Sequence, residues 1–173
     1  MSEKKEYEKI QEQLGTAIRN VCSSSFGDLS SSFLCRSVGT LNLPKPIVVG
    51  EDTTVGKVIK VLQENRIGSV VVVNEQGKVS GIFTERDCVR KVLGAPVEIL
   101  NSSITTLMSR DPVTQPADTT IAYALNLMSH GGFRHIPVVD GDGAPIGIVS
   151  VKDIVDYLVQ TMTEDLLGLE VEE

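Results

Sequence analysis

The chain has 173 residues, of which 41% are hydrophobic and 23% charged, and it carries a net charge of −7. That is globular composition, in a length suited to one ordinary domain or to two small units sharing a core. No apolar run approaches the roughly 20 residues of a membrane span, and the negative field disfavours nucleic acid and anionic membrane surfaces, so an anionic ligand would need a local basic cluster.

The opening stretch, Met1 to Gln13, mixes acids and bases with no apolar segment behind it. It is unlike a secretory signal or an Arg-rich transit peptide, and a cytoplasmic address is expected. Tyr7, Ile10, Leu14, Ala17, Ile18 and Val21 form a helical stripe, read as a face docked on the protein's own core. Ser23 to Ser32 then reads as a flexible Ser-rich stretch. Residues 1–36 are taken together as an N-terminal helical extension.

From about residue 40 the sequence repeats itself at a constant offset of 66. Asp52-Thr53-Thr54-Val55 returns as Asp118-Thr119-Thr120-Ile121, and Gly81-Ile82-Phe83-Thr84-Glu85-Arg86-Asp87 returns as Gly147-Ile148-Val149-Ser150-Val151-Lys152-Asp153. The halves align without a gap. Within the first, Val55, Val58, Ile59 and Leu62 predict an amphipathic helix capped by Thr54; Ile121, Ala124, Leu125 and Met128 predict its counterpart after Thr120. Val70 to Val73 and Ile136 to Val139 read as strands, each followed by a turn, Asn74-Glu75-Gln76-Gly77 or Asp140-Gly141-Asp142-Gly143. The returning strands, Val79 to Phe83 and Pro145 to Val149, run into second helices whose apolar faces are Cys88, Val89 and Val92, or Ile154, Val155 and Leu158.

Each half is thus strand, helix, strand, strand, helix, with Gly94-Ala95-Pro96 ending the first. Halves of about 60 residues bury little core alone. The expected fold is α+β / α/β, two tandem β-α-β-β-α units packed about a pseudo-twofold axis, with related clefts where the strand ends of one copy meet the other. Boundaries are expected at 37–97 for the first unit and 101–163 for the second, with an acidic tail at 164–173, frayed at its end.

Catalytic constellations are missing from the sequence. It has two histidines, His130 and His135, and no G-x-S-x-G, H-E-x-x-H or P-loop. Neither an enzyme nor a metal site is expected. Cys22, Cys35 and Cys88 are odd in number and form no C-x-x-C, which suggests neither a disulfide frame nor a zinc ribbon; they are read as reduced structural thiols.

The repeated Gly-hydrophobic-x-Ser/Thr-x-x-Asp pattern, together with Arg134-His135-Ile136-Pro137-Val138-Val139-Asp140, resembles a tandem cystathionine-β-synthase (CBS) domain pair, or Bateman module, over about residues 40 to 162. The resemblance implies a sensor that binds an adenosine-containing ligand (AMP, ADP, ATP or S-adenosylmethionine), often pairs into a homodimer and acts on a separate effector protein.

Thr84 with Asp87, and Ser150 with Asp153, have the chemistry to hold a ribose diol, because a carboxylate accepts from both hydroxyls while the Ser or Thr adjusts beside it. The same residues also make sense as helix N-caps and dipole partners, and the roles can coexist. Arg134 and His135 are candidates for phosphate; their first-copy equivalents are Gly68 and Ser69, so unequal sites are expected. Arg66, Arg86 and Lys152 are further basic candidates. The resemblance places an adenine slot along Ile47-Val48-Val49 and Val113-Thr114-Gln115, segments that equally suit ordinary β-core. Two alternatives stand beside the sensor: a ligand-free scaffold kept for dimerisation and protein interaction, and a redox-linked regulator acting through Cys22 and Cys35.

Overall fold

β-Branched runs become strands where Gly- and Asx-containing turns bound them, and the i, i+3, i+4 apolar spacings between them become helices. The computed structural model describes residues 32–167. The stripe at 7–21, nearly all of the Ser-rich stretch and the last residues of the tail lie outside the described residues. A single helical turn, α1 (Ser32–Cys35), and a 3₁₀ turn at Val38–Leu41 precede β1 (Val48–Gly50), α2 (Val55–Asn65), β2 (Ser69–Val73) and β3 (Val79–Thr84). α3 (Glu85–Asp87) follows at once and widens into a π turn over Cys88–Val92, where the Leu93 amide donates to the Cys88 carbonyl at 2.9 Å. After 3₁₀ turns at Val97–Asn101 and Ile104–Thr106 comes β4 (Ser109–Arg110), and then β5 (Gln115–Pro116), α4 (Ile121–Gly131), β6 (His135–Val139), β7 (Pro145–Ser150) and α5 (Val151–Leu167) restate the order.

The strands form two sheets, ordered β1-β2-β3-β4 and β5-β6-β7. β1 lies parallel to β2 and β5 parallel to β6, while β2 and β3 pair antiparallel with Val71 opposite Ile82. The two hairpin turns are built alike. Asn74 Oδ1 accepts from the amides of Gln76 and Lys78, and Asp140 Oδ1 from those of Asp142 and Ala144. Each turn closes on a glycine at positive φ, Gly77 at 75° and Gly143 at 85°, where a side chain would be strained.

The chain divides into two compact units that do not coincide with the two copies. A helix unit comprises Met1–Asn42, Asp118–Arg134 and Ser150–Glu173; a sheet unit comprises Leu43–Ala117 and His135–Val149. In the sheet unit Val55, Val58, Leu62, Val70, Val72, Phe83, Ile104 and Met108 form one buried cluster. Val38, Ile121, Ala124, Leu127, Met128 and Ile154 are buried in the helix unit.

The leading segment of each copy is exchanged for that of the other. In the sheet unit, Ile104 N donates to Thr53 O at 2.8 Å and Val55 N to Ser102 O at 2.9 Å. In the helix unit, Val38 N donates to Thr119 O at 2.7 Å and Ile121 N to Arg36 O at 2.9 Å. These are the same bonds shifted by 66 positions, so the duplication reaches back to Arg36, further than the residue identities reveal.

Two expected helix faces need correction. Val89 is 64% exposed and Val155 48% exposed. The π turn rewinds residues 88–92 so that Cys88 and Val92, but not Val89, meet the core. α5 instead turns Ile154 inward, with Tyr157, Leu158 and Thr161 half-buried beside it. Of the cysteines, Cys88 is a free, partly buried thiol, whereas Cys35 is disulfide-bonded, contrary to the expectation of reduced thiols throughout.

Candidate functional site

β3 and β7 each run without a loop into a helix, and the junction residue is a hydroxyl amino acid in extended conformation. At the first junction Thr84 has φ −127° and ψ 164° and completes a capping box. Asp87 Oδ2 accepts from the Thr84 amide at 3.0 Å and from Thr84 Oγ1 at 2.8 Å, while Thr84 Oγ1 accepts from the Asp87 amide at 3.3 Å. The second junction repeats the geometry: Asp153 Oδ2 accepts from Ser150 N at 2.8 Å and Ser150 Oγ at 2.7 Å, and Ser150 Oγ accepts from Asp153 N at 3.2 Å. In both, one carboxylate oxygen is consumed by the cap and the other is left for a further donor.

The junctions differ in what that other oxygen meets. Asp87 is nearly buried, and its Oδ1 pairs with Lys91 Nζ at 2.7 Å. Lys91 also donates to the Leu107 carbonyl at 2.6 Å. At the position equivalent to Lys91 the second copy has Tyr157, which stacks on Phe33 with ring centroids 5.8 Å apart and accepts a hydrogen bond from Arg36. Among the described residues Asp153 therefore has no ion pair, and its Oδ1 has no protein donor.

Arg134 and His135, adjacent in sequence, serve different neighbourhoods. The Arg134 carbonyl accepts from the Val151 amide at 3.1 Å, which fixes its backbone beside the Ser150–Asp153 cap and leaves its side chain exposed. Gly68 holds the equivalent bond with the Glu85 amide at 3.0 Å. In the sheet unit the half-buried His135 ring and the Glu85 carboxylate crowd Gly68; a β-carbon there would stand 3.3 Å from His135 Nε2 and 3.6 Å from Glu85 Oε2.

The remaining candidates are dispersed. Ile47 is half-buried and accepts from the Val71 amide at 3.1 Å, while Val48 is 47% exposed at the start of β1. Val113, Thr114 and Gln115 are half-buried, with Gln115 paired opposite Val138. Arg66 is exposed and ends α2 at φ 53°, and Arg86 is half-buried in the first turn of α3. Lys152 is ion-paired with Asp156 on the exposed side of α5, and the hydrogen bond and charge of Asp156 push its pKa up. Burial, and then the charge of Asp87, push the Cys88 thiol up as well, keeping it protonated and a poor nucleophile. A groove of about 390 Å³ along α2, lined by Thr54, Lys57, Ile59, Lys60 and Leu100 among others, contains none of the expected site residues. Thr120 Oγ1 caps α4 by accepting from the Tyr123 amide at 3.3 Å, whereas Thr54 has N-cap dihedrals but makes no side-chain cap bond. Among the described residues no cluster of His, Cys, Asp and Glu could hold a metal ion, and no helix is long and apolar enough to cross a membrane.

Lys91 was not among the expected site residues. Its signal was the charge difference between the copies four residues after the shared aspartate, Lys91 against Tyr157.

The CBS domain family profile matches residues 38–94 and again 103–160. An uncharacterized 17.7 kDa protein of Acidianus ambivalens is 32% identical over 130 residues, which cover 75% of this chain and 77% of that protein. Some relatives are much longer, the shared stretch being as little as 16% of their length. Among solved structures, the CBS-domain containing protein ATU1752 from Agrobacterium tumefaciens is 34% identical with a TM-score of 0.64, covering 70% of this chain and 98% of that one. The CBS domain pair of protein MJ0100, solved in complex with 5′-methylthioadenosine and S-adenosyl-L-methionine, is 25% identical with a TM-score of 0.65, covering 72% and 97%. With its duplicated elements, its exchanged leading segments and two family matches in register, the chain belongs to the CBS domain family and carries that domain as a tandem pair.

Proposed function

We propose that this chain is a regulatory, non-catalytic module that binds an adenosyl ligand at its Ser/Thr-Asp junctions and transmits the binding event to a separate effector protein. The observation that carries the reading is the half-buried Asp153 carboxylate, held by Ser150 through one oxygen while the other has no donor among the described residues. A ribose diol supplies such donors, and a charge-assisted bond to a preorganised carboxylate is stronger than a neutral one. The MJ0100 pair, a homologue of the same architecture, was solved with two adenosyl compounds, which supports this ligand class. The exposed Arg134 guanidinium, on backbone fixed beside the same cap, suits a phosphate and favours AMP, ADP or ATP over an uncharged nucleoside. Exposed apolar residues in the sheet unit, Val89 at 64%, Leu93 at 78% and Val97 at 74%, support pairing with a second copy. Ligand-dependent bias between conformations is how such a module would alter its affinity for an effector.

A thermal-shift panel over AMP, ADP, ATP, NAD and S-adenosylmethionine tests the reading. Ligand at about 100 times its Kd adds roughly 2.7 kcal/mol, which for a chain of this size raises Tm by roughly 5 to 10 °C. A shift with at least one adenosyl compound is expected, reduced in Asp153→Ala to what the weaker first junction supplies. No shift with any of them would leave the ligand-free scaffold as the better reading.

A further inference from the structure

The two junctions share every hydrogen bond of the Ser/Thr-Asp cap and differ at one oxygen. We infer that Lys91 is an internal competitor for the first junction, its ammonium occupying the carboxylate oxygen that a ligand hydroxyl would use, so that the second junction fills first. This rests on the proposed adenosyl binding and assigns an order to its two sites.

Three observations at the first junction, and the contrast with the second, carry it. Lys91 Nζ lies 2.7 Å from Asp87 Oδ1, the oxygen not used by Thr84. The Leu107 carbonyl, 2.6 Å from the same nitrogen, holds the ammonium in place, so the contact is not that of a freely swinging surface lysine. The Asp87 side chain is only 12% exposed, so moving Lys91 away leaves a carboxylate with little water to replace the lost charge. A ribose hydroxyl is a neutral donor and does not restore that charge. At the second junction Tyr157 stands where the lysine would be and is engaged with Phe33 and Arg36, and among the described residues nothing donates to Asp153 Oδ1. The π turn at Cys88–Val92 is likewise confined to the first copy, since α5 continues as α-helix through the equivalent positions.

The test isolates each junction in the full-length chain by calorimetric titration, with AMP and S-adenosylmethionine as separate probes. Asp153→Asn removes the open carboxylate and leaves the first junction as the main site; Asp153→Asn with Lys91→Met removes the competitor as well. The double variant is expected to bind roughly tenfold tighter than Asp153→Asn, the scale of a constrained, partly buried ion pair. Lys91→Arg in place of Lys91→Met should give no tightening, because a cation remains. A gain of affinity is a readout that mere loss of packing would not produce, and Lys91→Gln replaces Lys91→Met if the latter fails to fold. Equal affinity in the single and double variants, with the wild-type chain binding a probe, overturns the role of Lys91 while leaving the adenosyl reading intact. No binding of either probe to the wild-type chain overturns both.

Discussion

Asp87 and Asp153 share the Ser/Thr-x-x-Asp spacing and the same cap, yet among the described residues only Asp87 is ion-paired. Their shared part is structural. Thr84→Ala and Ser150→Ala should each cost about 1 kcal/mol in urea unfolding, the usual value of an N-cap, and changes near zero in both would mean the caps do not hold the junctions. Cys88 beside Asp87 offers a second test. Because its folded thiol is pushed up by burial and by the Asp87 charge, alkylation at mildly alkaline pH should run slower in the native chain than after unfolding in urea. The stability consequence follows in sign: the unfolded thiol loses its proton first, so stability is complete below the ordinary thiol range and falls as pH rises through it. Native Cys88 reacting as fast as the unfolded thiol would contradict the assigned environment. Both caps were legible in the sequence from the repeated Ser/Thr-x-x-Asp spacing. The Lys91 contact was not, because a lysine four residues from an aspartate reads first as an exposed helix pair of little consequence.

At the level of elements, what the sequence announces locally is what the structure holds. The strands bounded by Asx-Gly turns, and α2 and α4 with their apolar spacing, stand within a residue or two of expectation. The second helix of the first copy departs because its π turn depends on where residues 88–92 can pack, which no spacing rule in the segment encodes. Close approach is similarly hidden. A β-carbon on Gly81 would lie 2.3 Å from Met108 Sδ, and Met108 is buried. Gly81→Ala must therefore displace a core methionine, and a loss of roughly 1 to 3 kcal/mol is expected in denaturant titration. A β-carbon on Gly143 would meet nothing nearer than Lys78 Cδ at 3.9 Å, an ordinary contact, but Gly143 sits at φ 85°, so the smaller cost of Gly143→Ala, about 1 kcal/mol, comes from backbone strain. If Gly81→Ala were the milder of the two, the close contact with Met108 would be refuted.

Across the whole chain, the duplication is written in hydrogen bonds more faithfully than in residue types. Ser102 to Ile104 serve the start of α2, and Arg36 to Val38 serve the start of α4, through equivalent bonds. Val38 and Ile104 are both fully buried at equivalent positions. Ile104→Ala should cost roughly 2 to 5 kcal/mol as a large-to-small core change. The tandem order was legible because it repeats at a fixed offset; the exchange of leading segments was not, because it joins residues more than 45 positions apart. The adenosyl-binding account stands or falls on the second junction. Titrating S-adenosylmethionine and AMP in turn into the wild-type chain and into Asp153→Asn tests it most directly. The account predicts a tight binding event for at least one of them that disappears in the variant while its unfolding midpoint shows the chain still folded. Undiminished binding by folded Asp153→Asn would contradict it.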